Sequence, residues 1–227
     1  MPNTALFEIR NSDAHAFVNR AQVPAALTPR WVGINRTPRV GGPVMLSDCA
    51  TLSNGYALET GVNVPQNGVS TLFFVFRPNI LNYDLVWCHG GCNGGGLYKD
   101  TQVGAACALR SGGDQSVGLP DGSRSGTLFG PLMSNRVTVL AVRRNGPTAE
   151  IIQSAHSGHD GGFITPWTNF TPGPGSNVFL GGGYSYSPLP QVPAKWHGFE
   201  YWDEWLPDTA VRAVMDRWLT TVAGWTG

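Results

Sequence analysis

The residues in this chain best placed to do chemistry are carboxylates near its end, two histidines in one short stretch and two close cysteines. Glu200, Trp202 and Glu204 alternate along an apolar segment, so on a strand their side chains share one face. Two residues of strand advance about 6.7 Å, which sets Glu200 and Glu204 about 13 Å apart. Carboxyl pairs in glycosidases stand roughly 5 to 9.5 Å apart. Asp203 points to the opposite face, so no hydrolytic pair forms and no catalytic residue is assigned. Glu200 is expected to serve a buried or edge hydrogen bond instead.

The stretch Ser154-Ala155-His156-Ser157-Gly158-His159-Asp160 has the residue types of a metal site or of a nucleophile with its base. A metal needs further ligands at a recognised interval, and a serine nucleophile needs an elbow such as Gly-x-Ser-x-Gly; the sequence offers neither. The stretch therefore reads as a polar surface loop. Cys88-His89-Gly90-Gly91-Cys92 could chelate zinc or close a small disulfide loop. Cys49 and Cys107 do not repeat the paired spacing of a zinc site, and Cys88 continues an apolar strand, so a buried thiol is the expectation. A Cys88–Cys92 bridge belongs to a location outside cells. Neither a metal nor another cofactor is expected.

The remaining candidates are aromatic. Trp87, Tyr98, Trp167, Tyr184, Tyr186 and Trp196 lie in or beside Gly- and Pro-rich segments. Flat rings carried on loops can stack on sugar faces or anchor a protein partner. These six are the expected carbohydrate- or partner-binding residues, with the cluster from Gly182 to Pro190 foremost.

Elements must hold such residues in place, and composition says which kind. The chain has 227 residues, enough for one large β domain, and a fold of that size needs no disulfide or metal. Thirty glycines and 17 prolines among 41% hydrophobic residues mean short strands joined by tight turns rather than disorder. Fifteen basic residues balance fifteen acidic ones, which disfavours nucleic acid as a partner. No apolar run is long enough to span a membrane as a helix. Met1 to Arg10 lacks the basic stretch and apolar core of a secretory signal, so the expectation is a protein of its maker's cytoplasm or one released by lysis.

Ala5 to Ile9 reads as the first strand. Leu72 to Phe76 is apolar on both faces and reads as a central, doubly covered strand. Val137–Val142 and Glu150–Ile152 flank Asn145-Gly146, a hairpin signal. Val178–Leu180 is a strand ending in three glycines, and Trp196 to Leu206 reads as one long last strand. From Asp208 to Val222 the residues Val211, Val214, Met215, Trp218, Leu219 and Val222 form one stripe of a helix. That stripe must lie on the sheets, sealing an end or an edge of them. No repeat or linker appears, so residues 1–227 are expected to be one domain.

Residues 179–208 carry a family likeness. Phe179-Leu180-Gly181-Gly182, followed by Trp196-His197-Gly198-Phe199-Glu200-Tyr201-Trp202-Asp203-Glu204-Trp205-Leu206-Pro207-Asp208, resembles the ending of a laminin-G-like domain in the concanavalin A-like lectin group. Ser70–Pro78 and Val137–Glu150 resemble that group's Arg-Pro-ended strand and core hairpin; residues 1–56 match nothing in it. The resemblance implies an all-β, two-sheet antiparallel jelly-roll sandwich with one C-terminal amphipathic helix. Hydrolases of this fold carry Glu-x-Asp-x-Glu on one strand, and here Trp202 takes the middle place. Calcium often binds at a loop rim in such domains, yet Asp121-Gly122-Ser123 lacks the further acids a calcium loop needs. Domains of this type recur in bacteriophage structural proteins. The expected function is a non-catalytic structural or adhesion module: a virion component such as a decoration, head-fibre or tail-associated protein, meeting its own copies or capsid and tail proteins. The alternative is a carbohydrate-binding lectin domain on cell-surface glycans, and a glycoside hydrolase or polysaccharide lyase ranks last.

Overall fold

A computed structural model describes residues 2–8, 18–22, 29–32, 44–45, 49–52, 57–64, 69–77, 83–89, 105–110, 116–118, 124–125, 137–145, 148–153, 176–180 and 194–223. Within these the chain is antiparallel strand apart from one helix. One sheet is built around β7 (Val69–Arg77), which lies between β12 (Thr138–Asn145) and β15 (Ala194–Trp202). Outside β12 runs β13 (Thr148–Gln153). Outside β15 run β1 (Ala5–Glu8) and then β2 (Val18–Asn19), while β5 (Ala50–Leu52), itself paired with β4 (Val44–Met45), takes the other end of the same β15 edge. A second sheet runs in the order β11 (Arg124–Ser125), β10 (Ser116–Gly118), β9 (Ala105–Arg110), β8 (Tyr83–His89), β14 (Ser176–Leu180), β6 (Ala57–Val64), β3 (Arg30–Val32).

The central strand behaves as its composition demands. Leu72 to Phe76 are all at most 3% exposed, because β7 has neighbours on both edges and cover on both faces. Alternation sends Phe73 and Val75 to one face, where they join Leu6, Val139 and Ala141 in a core with the helix. The helix α1 (Asp208–Ala223) supplies Val211, Val214, Met215, Trp218 and Val222 to that core, as the 3.6-residue spacing requires. It therefore covers the middle of a sheet face, over β7 and β12, rather than an end or edge. The reason is width: a stripe two residues broad buries more apolar area over a sheet face than along its rim.

On the opposite face the rings pack on each other. Phe7 stacks on Phe199 with centroids 6.1 Å apart, Phe74 lies 5.4 Å from Phe199, and Trp196 is 5.3 Å from Phe76. All five are fully buried.

Two sequence expectations shift by a few residues. The hairpin strands run further than the apolar runs Val137–Val142 and Glu150–Ile152: Asn145 belongs to β12 and pairs with Thr148 of β13. The last strand ends at Trp202, not Leu206, because Asp203 and Glu204 bend the chain away toward the helix.

Tyr201 sits on β15 beside this bend, 6% exposed. Burial, with the Asp203 charge adding to it, pushes its phenol up from 10.0 to about 12. Above pH 10 an unfolded chain releases this proton while the folded protein keeps it. Tyr201 thus favours folding fully below pH 10, and that contribution is lost as pH rises toward 12. Denaturation midpoints measured across pH 9–12 should fall less steeply in Tyr201→Phe than in the parent; parallel curves would refute the assignment.

Candidate functional site

The strand that could have carried carboxylate chemistry carries a polar knot. Glu200 has no exposed area. Its Oε1 accepts from Asn3 Nδ2 at 3.1 Å and from Trp202 Nε1 at 2.9 Å. Its Oε2 accepts from Trp218 Nε1 at 2.7 Å and from the Arg217 guanidinium. A buried carboxylate is tolerable only when its lone pairs are used, and here each oxygen has two donors. These donors come from the N-terminal segment, the same strand and the helix, so Glu200 ties three elements at one point. The expectation of a buried hydrogen bond for this residue holds, with more partners than the sequence implied.

Residue 198 makes the knot possible. Gly198 lies opposite Glu8 of β1 and Val75 of β7, beneath the ring of Trp218. A Cβ there would fall 2.3 Å from Trp218 Cη2 and 2.8 Å from the carbonyl oxygen of Phe7. Only glycine lets the indole lie flat enough on β15 for its N–H to reach Glu200.

After the strand ends, a second set of contacts fixes residues 204–208. The Thr71 hydroxyl donates to the Glu204 carbonyl at 2.7 Å and accepts from Leu206 N at 3.1 Å. Trp205 is therefore held by backbone anchors on both sides. Arg143, reaching across from β12, donates to the Leu206 carbonyl at 2.9 Å and to Asp208 Oδ1 at 2.6 Å. Its guanidinium carbon lies 4.7 Å from the centroid of the Trp205 ring. The bend at residues 203 and 204 takes Glu204 out of β15, so it does not continue the alternation that carries Glu200.

The aromatic candidates separate. Trp196 is a core residue: its ring, packed between Phe74 and Phe76, has no exposed area, so it offers nothing to a ligand. The Gly/Pro-rich residues before it made it look like a loop ring, but β15 already begins at Ala194 and draws it into the sheet. Trp87 lies within β8, paired with Cys107 and Leu180, rather than on a loop. Tyr98, Trp167, Tyr184 and Tyr186 lie outside the described residues, as do His156, His159, Cys92 and Asp121. Among the described residues no group of three or more His, Cys, Asp or Glu is placed to hold a metal. Two rings the sequence left unmarked, Trp202 and Trp205, are half-buried at the turn from strand to helix. Arg143 was the missed signal: a cation ending an apolar strand run needs partners, and it finds them in that turn.

Among the described residues these observations define antiparallel sheets with one helix laid on a sheet face and a fully paired buried carboxylate between them. No family model matches the chain, and no curated protein does. Among solved structures the fold is similar to the receptor binding domain of the botulinum neurotoxin C/D mosaic serotype, with a TM-score of 0.61 and 11% identity over 94% of this chain and 51% of that one. It is similar also to the Ca2+/Man-bound exoplasmic/lumenal domain of VIP36, with a TM-score of 0.50 and 11% identity over 80% of this chain and 85% of that one. An arabinofuranosidase complexed with arabinofuranosyl-alpha-1,2-xylobiose matches with a TM-score of 0.51 and 13% identity over 96% of this chain and 59% of that one. The chain spans about half the length of the neurotoxin domains it resembles. At such identities the likeness is one of fold.

Proposed function

We propose that this chain is a non-catalytic binding module that recognises saccharide, built as a two-sheet jelly roll. The observation that carries the first part is Glu200, whose two oxygens are occupied by four donors, leaving no lone pair directed at a substrate. The jelly-roll reading is supported by the dry ring face of Phe7, Phe74, Phe76, Trp196 and Phe199, which lies opposite the helix and needs a second layer over it. The other sheet is the layer available.

Surface chemistry favours sugar over protein as the ligand. A stable protein interface needs an apolar centre within about 1,000 Å² or more of buried area. Among the residues whose side-chain burial is described, Val69 is the one large hydrophobic more than a third exposed. A saccharide needs less: a single ring face with polar neighbours. The Ca2+/Man-bound lumenal domain and the receptor binding domains of similar fold are consistent with a binding role. A virion decoration, head-fibre or tail-associated protein is a setting in which such a module would work, and calcium at a loop rim would fit the same fold.

Applying the protein at high concentration to an array of neutral and acidic glycans should give specific binding without release of reducing sugar. An array with no binding would overturn the saccharide reading. Reducing-sugar release that Glu200→Gln abolishes would overturn the non-catalytic one.

A further inference from the structure

We infer that the outward face of Trp205 is a stacking platform for a neutral saccharide ring, with the Asp208 carboxylate at its edge; this rests on the saccharide reading above. Three observations converge on it. First, Trp205 is positioned before any ligand arrives: the one hydroxyl of Thr71 bonds the backbone on both sides of it, and the Arg143 guanidinium lies against its ring. Second, Arg143 lies against the ring at 4.7 Å yet its side chain is only 4% exposed. One face of the ring is thus taken by a buried cation, while Trp205 as a residue is half-buried and keeps some area toward solvent. Third, Asp208, bonded to that same guanidinium through Oδ1, keeps a side chain 57% exposed. Its accepting capacity is not exhausted by one bond, so it can take sugar hydroxyl donors beside the ring.

The pieces suit one ligand class. The carbon-bound hydrogens of a pyranose face pack on an indole, while the ring-edge hydroxyls need acceptors such as a carboxylate. A preset ring and a preset acceptor also spare the ligand the ordering cost that free side chains would impose.

The test is a printed panel of neutral mono- and oligosaccharides probed with the parent protein, Trp205→Ala and Asp208→Asn, each checked by thermal melting. Asparagine at 208 still offers Arg143 an amide oxygen, so the ring keeps its place and this variant decides the matter if Trp205→Ala does not fold. The parent should bind, with roughly tenfold weaker binding in either variant. Parent binding that both folded variants retain in full would overturn the Trp205 site while leaving the saccharide reading intact. A parent that binds nothing on the panel would overturn both.

Discussion

Replacing Glu200 with alanine is expected to destabilise the protein by about 3–5 kcal/mol, the range for breaking a buried ion pair by removing one partner. The loss does not lie mainly in the Arg217 contact, since that side chain is 42% exposed and can turn to water. It lies in the donors left behind. Trp218 Nε1 and Asn3 Nδ2 are bonded to Glu200 in buried surroundings, and an abandoned buried donor costs about 1–3 kcal/mol. Trp202 Nε1 adds a partly buried third. For a chain of this size about 2–4 °C of melting temperature accompanies each kcal/mol, so the midpoint should fall by roughly 10 °C. Glu200→Gln keeps one acceptor oxygen but turns an amide nitrogen toward donors, and should recover only part of the loss. Urea unfolding followed by tryptophan fluorescence reads both. An alanine variant within about 0.5 kcal/mol of the parent would remove the knot as a source of stability.

Gly198→Ala is the smaller chemical change with a comparable effect. Its methyl would meet Trp218 Cη2 at 2.3 Å, Cζ3 at 2.7 Å and the Phe7 carbonyl at 2.8 Å. The indole could shift, but the carbonyl belongs to the β1 ladder and cannot swing aside without unpairing it. Overpacking a dense core costs about 1–3 kcal/mol and more where backbone must move, so a loss of about 3 kcal/mol is expected. Combining it with Trp218→Phe separates the two clashes. Trimming the ring relieves one and leaves the carbonyl, so the double variant should be more stable than the sum of the single losses implies, by about 1 kcal/mol. Strict additivity would mean that Trp218 does not press on residue 198.

Periodicity made much of this fold readable. The Val211–Val222 stripe located the helix, and the unbroken run Leu72–Phe76 marked the central strand, because each pattern follows from a repeat of 3.6 or 2 residues meeting a dry face. Strand limits were harder. Nothing local distinguishes Trp202 from Glu204 as the end of β15; the choice is made by Thr71, 133 residues distant from Glu204, whose hydroxyl captures the bend. Loop-borne aromatics were a fair guide to composition and a poor one to exposure. Trp196 follows Pro193 and looks free, yet its pairing with Phe76 sends it inward. The Trp205 platform depends on Arg143, 62 positions earlier in the chain, and no spacing rule joins the two.

The Asn3–Glu200 bond spans 197 positions, and Thr4 N likewise donates to the Tyr201 carbonyl. During synthesis the first strand finds β2 for one edge within a few residues, but β15, its partner on the other edge, is made long afterwards. At roughly 5–20 residues per second, β1 waits on the order of ten seconds or longer while β15 is made. Through that interval Leu6 and Phe7, at 8% and 0% exposure in the finished protein, stand uncovered. The β15 edge between Gly198 and Tyr201 can accept a strand only once the residues up to Tyr201 have been made. Closure of the first sheet therefore waits for β15, and residues 5–8 are the ones a chaperone would have to shield until then.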